Sequence, residues 1–328
     1  MKQNKRKYVR SMLIIGTIAL FIYFFKMLNI DIPKLIQTLK QAHFYFLLIA
    51  IIIAWIESFL RIFRYGSILK FYNYRISFKT LFVTYFVGLF TGSLTPMKAG
   101  EPIKAVILKK KSNVPLTIGV MSSMIERIFE LAIMALLLLI SIGFNNALNL
   151  SVRSFYLIIS VYLSLFLTLF IVVLGYKIEF FYRLLEIISL KIKFGILSKI
   201  LNSLQRFIQS LKEKPFSQRI IFSLNILIQS FLIIIIDAFI FYFVFKAFNW
   251  SVSVFVIIGV IIMASLAGVL SQTPGGVVTT EGILIYLFSL FQIPIEICTA
   301  TSLITRAIGF YFFMIIGFLL SIEEGVNF

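Results

Sequence analysis

Cysteine occurs once in the 328 residues, as Cys298, and histidine once, as His43. A disulfide framework and a thiolate zinc site within one chain are therefore excluded, and so are the usual histidine clusters for metals. No metal and no cofactor is expected. Aspartate occurs twice, as Asp31 and Asp237, and only 13% of residues are charged, against about 25% in soluble domains. Proline is sparse, with 7 residues, and no proline- or serine-rich linker divides the chain. There is no Gly-x-Ser-x-Gly, Walker loop or His-Glu-x-x-His, which argues against a hydrolase or an ATP-driven pump. No catalytic residue is assigned.

What fills the chain instead is apolar. Hydrophobic residues make up 60% of it and the mean hydropathy is +1.03. So little polar surface cannot cover one water-soluble globule, and disorder would require low hydrophobicity. The expected fold class is all-α: a polytopic membrane protein, one integral domain over residues 1–328. Full spans need about 20 apolar residues. They are expected near Ser11–Leu28, Phe44–Phe63, Pro115–Phe144, Val152–Gly175, Arg219–Phe245 and Ile297–Ser321.

Two further apolar stretches, Phe78–Leu94 and Val252–Leu270, stop at Thr95-Pro96 and Thr273-Pro274. A short helical stretch follows each stop, Glu101–Leu108 and Glu281–Phe291, too short to span. Each pair therefore reads as a broken helix or a re-entrant hairpin.

The net charge of +18 raises the question of nucleic acid, but the basic residues form no continuous patch, so no nucleic-acid partner is expected. They fall between apolar stretches, concentrated in the N-terminal tail, Arg64–Lys79, Lys109–Lys111 and Lys177–Arg219. The positive-inside rule then places both termini in the cytoplasm. The segment 176–218 reads as a basic amphipathic stretch on the cytoplasmic leaflet. The Ile, Phe, Lys and Asn bias points to a prokaryotic cell membrane.

An order of features recurs. The first copy runs Pro96, Lys98, Gly100, Glu101, then Glu126-Arg127; the second runs Pro274, Gly275, Gly276, Glu281, then Arg306. The glutamate-to-arginine spacings are 26 and 25 residues. With the spans above, the copies (about 44–144 and 219–321, joined by span 152–175 and segment 176–218) face opposite ways. An inverted repeat with discontinuous helices meeting near the midplane is a transporter architecture.

Lys98, Lys104, Arg127 and Arg306 lie at apparent membrane depth, where each costs about 2.5–3.5 kcal/mol and the four on the order of 10 kcal/mol if left facing lipid. Glu101, Glu126, Glu130 and Glu281 are the available counter-ions. A structural ion-pair network is one reading. The other is a polar cavity whose arginine forks and lysine charge receive a phosphate headgroup. Glu101 and Glu281 also suit capping of the short helices. Glu57 and Arg61 are spaced for a local pair. Arg61 and Arg64 read as snorkelling to lipid phosphates, and Asp237 as pairing with a basic residue or relaying protons.

These residues resemble the flippase-like transmembrane family named after lysylphosphatidylglycerol synthase, which includes the membrane half of the multiple peptide resistance factor. The similarity rests on Arg61 and Arg64, Pro96-x-Lys98-x-Gly100-Glu101 with Lys104, Glu126-Arg127, Pro274-Gly275-Gly276 with Glu281, and Arg306. Met97 and Val278 stand where the family pattern favours glycine. The family's soluble aminoacyl-transferring domain has no counterpart here, so its aminoacyl-tRNA chemistry is not expected. The resemblance implies translocation of an anionic lipid: a phospholipid, an aminoacyl-phospholipid or a polyprenyl-phosphate carrier. A membrane-embedded transferase, or an accessory subunit of a lipid-modification system, is the alternative. Expected partners are membrane lipid and a separate lipid synthase or glycosyltransferase; a homo-oligomer is left open.

Overall fold

In the computed structural model, residues 31–95, 100–144, 209, 214–271, 273–276 and 278–325 are described. The expected first helix, the span 152–175, nearly all of segment 176–218, and both Pro96 and Lys98 lie outside them. The described secondary structure is helical: α1 (Ile32–Lys40), α2 (Phe44–Phe71), α3 (Phe78–Ser93), α4 (Ile103–Ser112), α5 (Leu116–Phe144), α6 (Phe216–Ala247), α7 (Val254–Leu270), α8 (Thr279–Ser289), α9 (Ile295–Arg306) and α10 (Phe312–Glu323). A 3-10 turn, Pro274–Gly276, separates α7 from α8, and a π-turn, Ala307–Tyr311, joins α9 to α10. Three stretches, Phe44–Phe71, Phe216–Ala247 and Ile295–Glu323, are long and apolar enough to cross a membrane.

The helix that holds the expected span Phe44–Phe63 continues to Phe71, and Arg64 inside it is buried against Glu126 and Glu130. The short helix α1 was not anticipated. Asp31 caps it, its Oδ1 accepting from the Lys34 N–H at 3.2 Å, with Pro33 in the first turn. Asn73, Asn113 and Asn249 end α2, α4 and α6 with positive φ, a role in which asparagine stands in for glycine.

The long helices α2 and α6 pack along each other, and α10 lies against α3. One apolar core joins α5, α6, α7, α8 and α9 around Phe245, Ile257 and Phe288, with the buried Cys298 packed into it. A second, around Ile62, Tyr65, Phe86 and Phe313, joins α2, α3 and α10. Large apolar side chains such as Ile52, Ile221 and Leu319 remain exposed on the outside. A surface this apolar is suited to lipid rather than water.

The two helix breaks meet. A β-carbon on Gly275 would stand 3.2 Å from the Ser93 carbonyl at the end of α3 and 3.1 Å from the Phe310 ring. Gly275 also needs φ +64, a conformation that glycine adopts freely. Threonines hold the loosened backbone. Thr95 Oγ1 accepts from the Gly100 N–H at 2.6 Å, and Thr91 Oγ1 donates to the Gly100 carbonyl at 3.1 Å. At the second break Ser271 and Thr273 hydroxyls bond at 2.9 Å. Such satisfaction lets irregular backbone exist at membrane depth.

Candidate functional site

Beside the first break stands a lattice of eight charged side chains from α2, α5 and the α3–α4 hairpin. Arg61 donates through Nε to Glu57 Oε1 at 2.8 Å, the i,i+4 pair expected from the sequence, and reaches Glu130 at 3.4 Å. Arg64 lies 3.6 Å from both Glu126 and Glu130, and its Nη1 donates to Ser230 Oγ of α6 at 3.0 Å. With its side chain only 3% exposed, Arg64 cannot reach lipid phosphates. The snorkelling reading of Arg61 and Arg64 is corrected: both turn inward to carboxylates.

Lys104, expected among headgroup ligands, is sealed away. Its ammonium donates to Glu126 at 3.0 Å and sits over the Tyr65 and Tyr85 rings at 4.9 and 5.6 Å. Sequence reasoning missed this cage, as no local pattern ties Tyr65 and Tyr85 to position 104.

Arg127 grips Glu101 with two nitrogens, Nε to Oε2 at 3.1 Å and Nη2 to Oε1, while Nη1 donates to Glu130 at 2.9 Å. All three nitrogens are engaged, yet its side chain is 37% exposed, the most open of these cations. At the second break the counterpart pair forms: Arg306 Nε donates to Glu281 Oε1 at 2.8 Å, and Nη2 to the Gly275 carbonyl at 3.1 Å. Tyr311 also donates to Glu281 Oε1, at 3.0 Å, and the Phe310 ring lies 4.0 Å from the guanidinium carbon. Arg306 Nη1 has no hydrogen-bond partner among the described residues, and the buried Glu281 Oε2 likewise has none.

Glu281 lies in the first turn of α8, but among the described residues its carboxylate accepts only from Arg306 and Tyr311. Neither α4 nor α8 has a side-chain cap; α4 begins only at Ile103, and both carboxylates pair with arginine instead. A guanidinium offers each carboxylate a full charge, through a two-point fork at Glu101 and a single hydrogen bond at Glu281. Val278, at the start of α8, takes φ +73. A β-branched residue there is strained, which accounts for the glycine that the family pattern favours at this position.

The sequence profile of the lysylphosphatidylglycerol synthase TM region matches residues 11–317. The chain belongs to this family. Its curated relatives are archaeal membrane proteins of similar length. A UPF0104 membrane protein of Methanocaldococcus jannaschii is 26% identical over 324 residues, covering 96% of this chain and 95% of the relative. One from Methanothermobacter thermautotrophicus is 27% identical over 331 residues, covering 98% and 94%. Another, from Pyrococcus horikoshii, is 23% identical over 314 residues, covering 89% and 91%. A prokaryotic membrane location fits these relatives. The glutamates named as available counter-ions from the sequence are thus in contact with arginines or lysine in a member of this lipid-related membrane family.

Proposed function

We propose that this protein moves an anionic lipid between membrane leaflets without altering it chemically. The observation that carries the reading is Arg306. It stands at a helix break, held on one side by Glu281 and the Gly275 carbonyl, with one guanidinium nitrogen left for an anion. A guanidinium fork matches phosphate geometry, and the family name supports a phospholipid or related lipid-phosphate headgroup. Arg127, fully paired but more open, would receive the same headgroup by exchanging Glu101 for phosphate. Lys98 belongs to this reading as a further cation, and Glu101 and Glu281 as the gating counter-ions. A separate synthase or glycosyltransferase would supply the lipid.

The test is purified protein in phosphatidylcholine vesicles carrying a trace of fluorescent phosphatidylglycerol or polyprenyl phosphate, with aminoacyl-tRNA or a nucleotide sugar outside. Faster leaflet exchange with an unchanged lipid mass is expected. A new headgroup mass that is lost in Glu281→Gln would replace this reading with a transferase. Neither exchange nor modification would favour the accessory role, which the glutamate beside every cation of the first lattice also supports.

Topology is part of the proposal, since opposed breaks need both termini inside. In a Cys298→Ala background, Asn146→Cys and Gln292→Cys should react with an impermeant maleimide on intact cells, and Ser203→Cys only after the cells are opened. Labelling of position 203 from outside would overturn the inverted arrangement.

A further inference from the structure

The second helix break holds oxygen atoms that its ion pair does not use. Glu281 is 3% exposed, and only its Oε1 is engaged, by Arg306 and Tyr311. Its Oε2 is buried and has no hydrogen-bond partner among the described residues. Glu101 at the first break differs, since both of its oxygens bind Arg127.

A row of hydroxyls borders the same break. Ser271 Oγ lies 2.9 Å from Thr273 Oγ1, which lies 3.5 Å from Thr279 Oγ1, and Ser271 donates to the Gly268 carbonyl at 2.9 Å. At the first break the threonine hydroxyls are taken up by the backbone of Gly100. Here they bond mainly to one another, and each hydroxyl has two lone pairs for one hydrogen, so acceptor capacity is left over. Row and carboxylate flank one turn. Thr273 directly precedes the 3-10 turn Pro274–Gly276, and Thr279 opens α8 behind it. Arg306 bonds Glu281 Oε1 through Nε and the Gly275 carbonyl through Nη2, so carboxylate and turn are neighbours on one edge of a single guanidinium. Helix α7 also ends here, at Leu270. A helix C-terminus brings carbonyls without intrahelical partners and a partial negative charge.

We propose that the second break binds a small monovalent cation, sodium, between the hydroxyl row and Glu281 Oε2. Every ligand atom offered is a hard oxygen, as hard cations require. Metal–oxygen contacts of about 2.4 Å set neighbouring ligand oxygens roughly 3–3.5 Å apart, close to the 2.9 and 3.5 Å of the row. One carboxylate stands among neutral oxygens, and the described residues contain no group of three acidic, histidine or cysteine side chains. That is charge enough for a monovalent ion and too little for calcium or magnesium. A proton would satisfy Oε2 alone and leave the hydroxyl row unused. A cation on Oε2 draws on the Glu281 charge that Arg306 otherwise holds, which leaves more of the guanidinium for an anion. On the lipid reading above, on which this last step rests, sodium and headgroup phosphate strengthen each other's binding reciprocally.

The test is thermal unfolding of the purified protein in detergent micelles, followed by tryptophan fluorescence, with sodium chloride replacing choline chloride at constant ionic strength and no lipid added. The melting temperature should rise with sodium and level off, since a ligand of the folded state stabilises it by mass action. Potassium should act only at higher concentration. Thr273→Val and Thr279→Val should each raise the half-saturating sodium concentration about tenfold, the effect of losing one ionic oxygen contact. Thr273→Ser, which keeps the oxygen, and Ser289→Ala, at the far end of α8, should leave it unchanged. No difference between sodium and choline, or a response that both valine variants retain at the same sodium concentration, overturns the inference. Loss of leaflet exchange with the sodium response intact would remove the lipid reading alone.

Discussion

Glu126→Gln is expected to destabilise the folded protein by about 3–5 kcal/mol, the cost of breaking a buried pair by removing one partner. Glu126 Oε2 is the group that neutralises Lys104, at 3.0 Å, and both side chains are 5% exposed. Lys104 is enclosed by Tyr65 and Tyr85, and aromatic faces alone return only about 2 kcal/mol to a desolvated cation. Arg64 suffers less from the change, because it keeps Glu130 and the Ser230 hydroxyl. Adding Lys104→Met to Glu126→Gln should therefore restore most of the loss, since no uncompensated lysine charge is then left buried. Denaturant-induced unfolding in detergent micelles measures both effects. A loss below about 1 kcal/mol, as for an exposed pair, would mean that water reaches Lys104.

Arg306→Gln is expected to stop lipid exchange in the vesicle assay while the protein still folds and reaches the membrane. Glu281 keeps the Tyr311 hydroxyl as a donor at 3.0 Å, so the second break is not left without support. What is lost is the guanidinium whose remaining nitrogen would meet the headgroup. Arg306→Lys should recover part of the exchange, because the charge returns without the planar fork. Arg127→Gln should slow exchange and also weaken the fold, as Glu101 loses its two-point partner and Glu130 one of its three arginines. Disappearance of Arg306→Gln from the membrane, or its exchange at the normal rate, would remove phosphate recognition from this residue.

The helix breaks were legible because a Thr-Pro step interrupts a long apolar run, and both short helices follow where expected. The pairs Glu101–Arg127 and Glu281–Arg306 were legible as a repeated spacing and as counter-ions, although the two-point grip at the first and the single bond at the second were not. The inward turn of Arg64 was not legible, because its neutralising partners Glu126 and Glu130 come from a helix more than sixty residues away. The cage around Lys104 was hidden for the same reason. Helix α1 carried its signs openly, with Asp31 as cap and Pro33 behind it, but it is too short and polar to register among membrane-length runs. The threonines at the breaks were seen only as markers of a turn, whereas Thr91 and Thr95 bind the freed backbone directly.

The way the first lattice distributes its charges along the chain bears on how the protein is made. Glu57 and Arg61 sit one turn apart on α2, Arg127 and Glu130 nearly so on α5, and Glu101 precedes Lys104 by three residues in the hairpin between them. Each segment thus brings a counter-ion with it when it leaves the ribosome and meets the lipid. What remains is one surplus positive charge on α2, from Arg64, and one surplus negative charge on α5, from Glu126. These two stand 3.6 Å apart in the finished fold. Insertion of α2 therefore leaves a single unsatisfied cation at depth, at a cost of about 2.5–3.5 kcal/mol, until α5 emerges to meet it. Docking of α5 against α2 is thus a timed event in biogenesis, and translation paused before residue 126 would leave α2 the least secure helix in the bilayer.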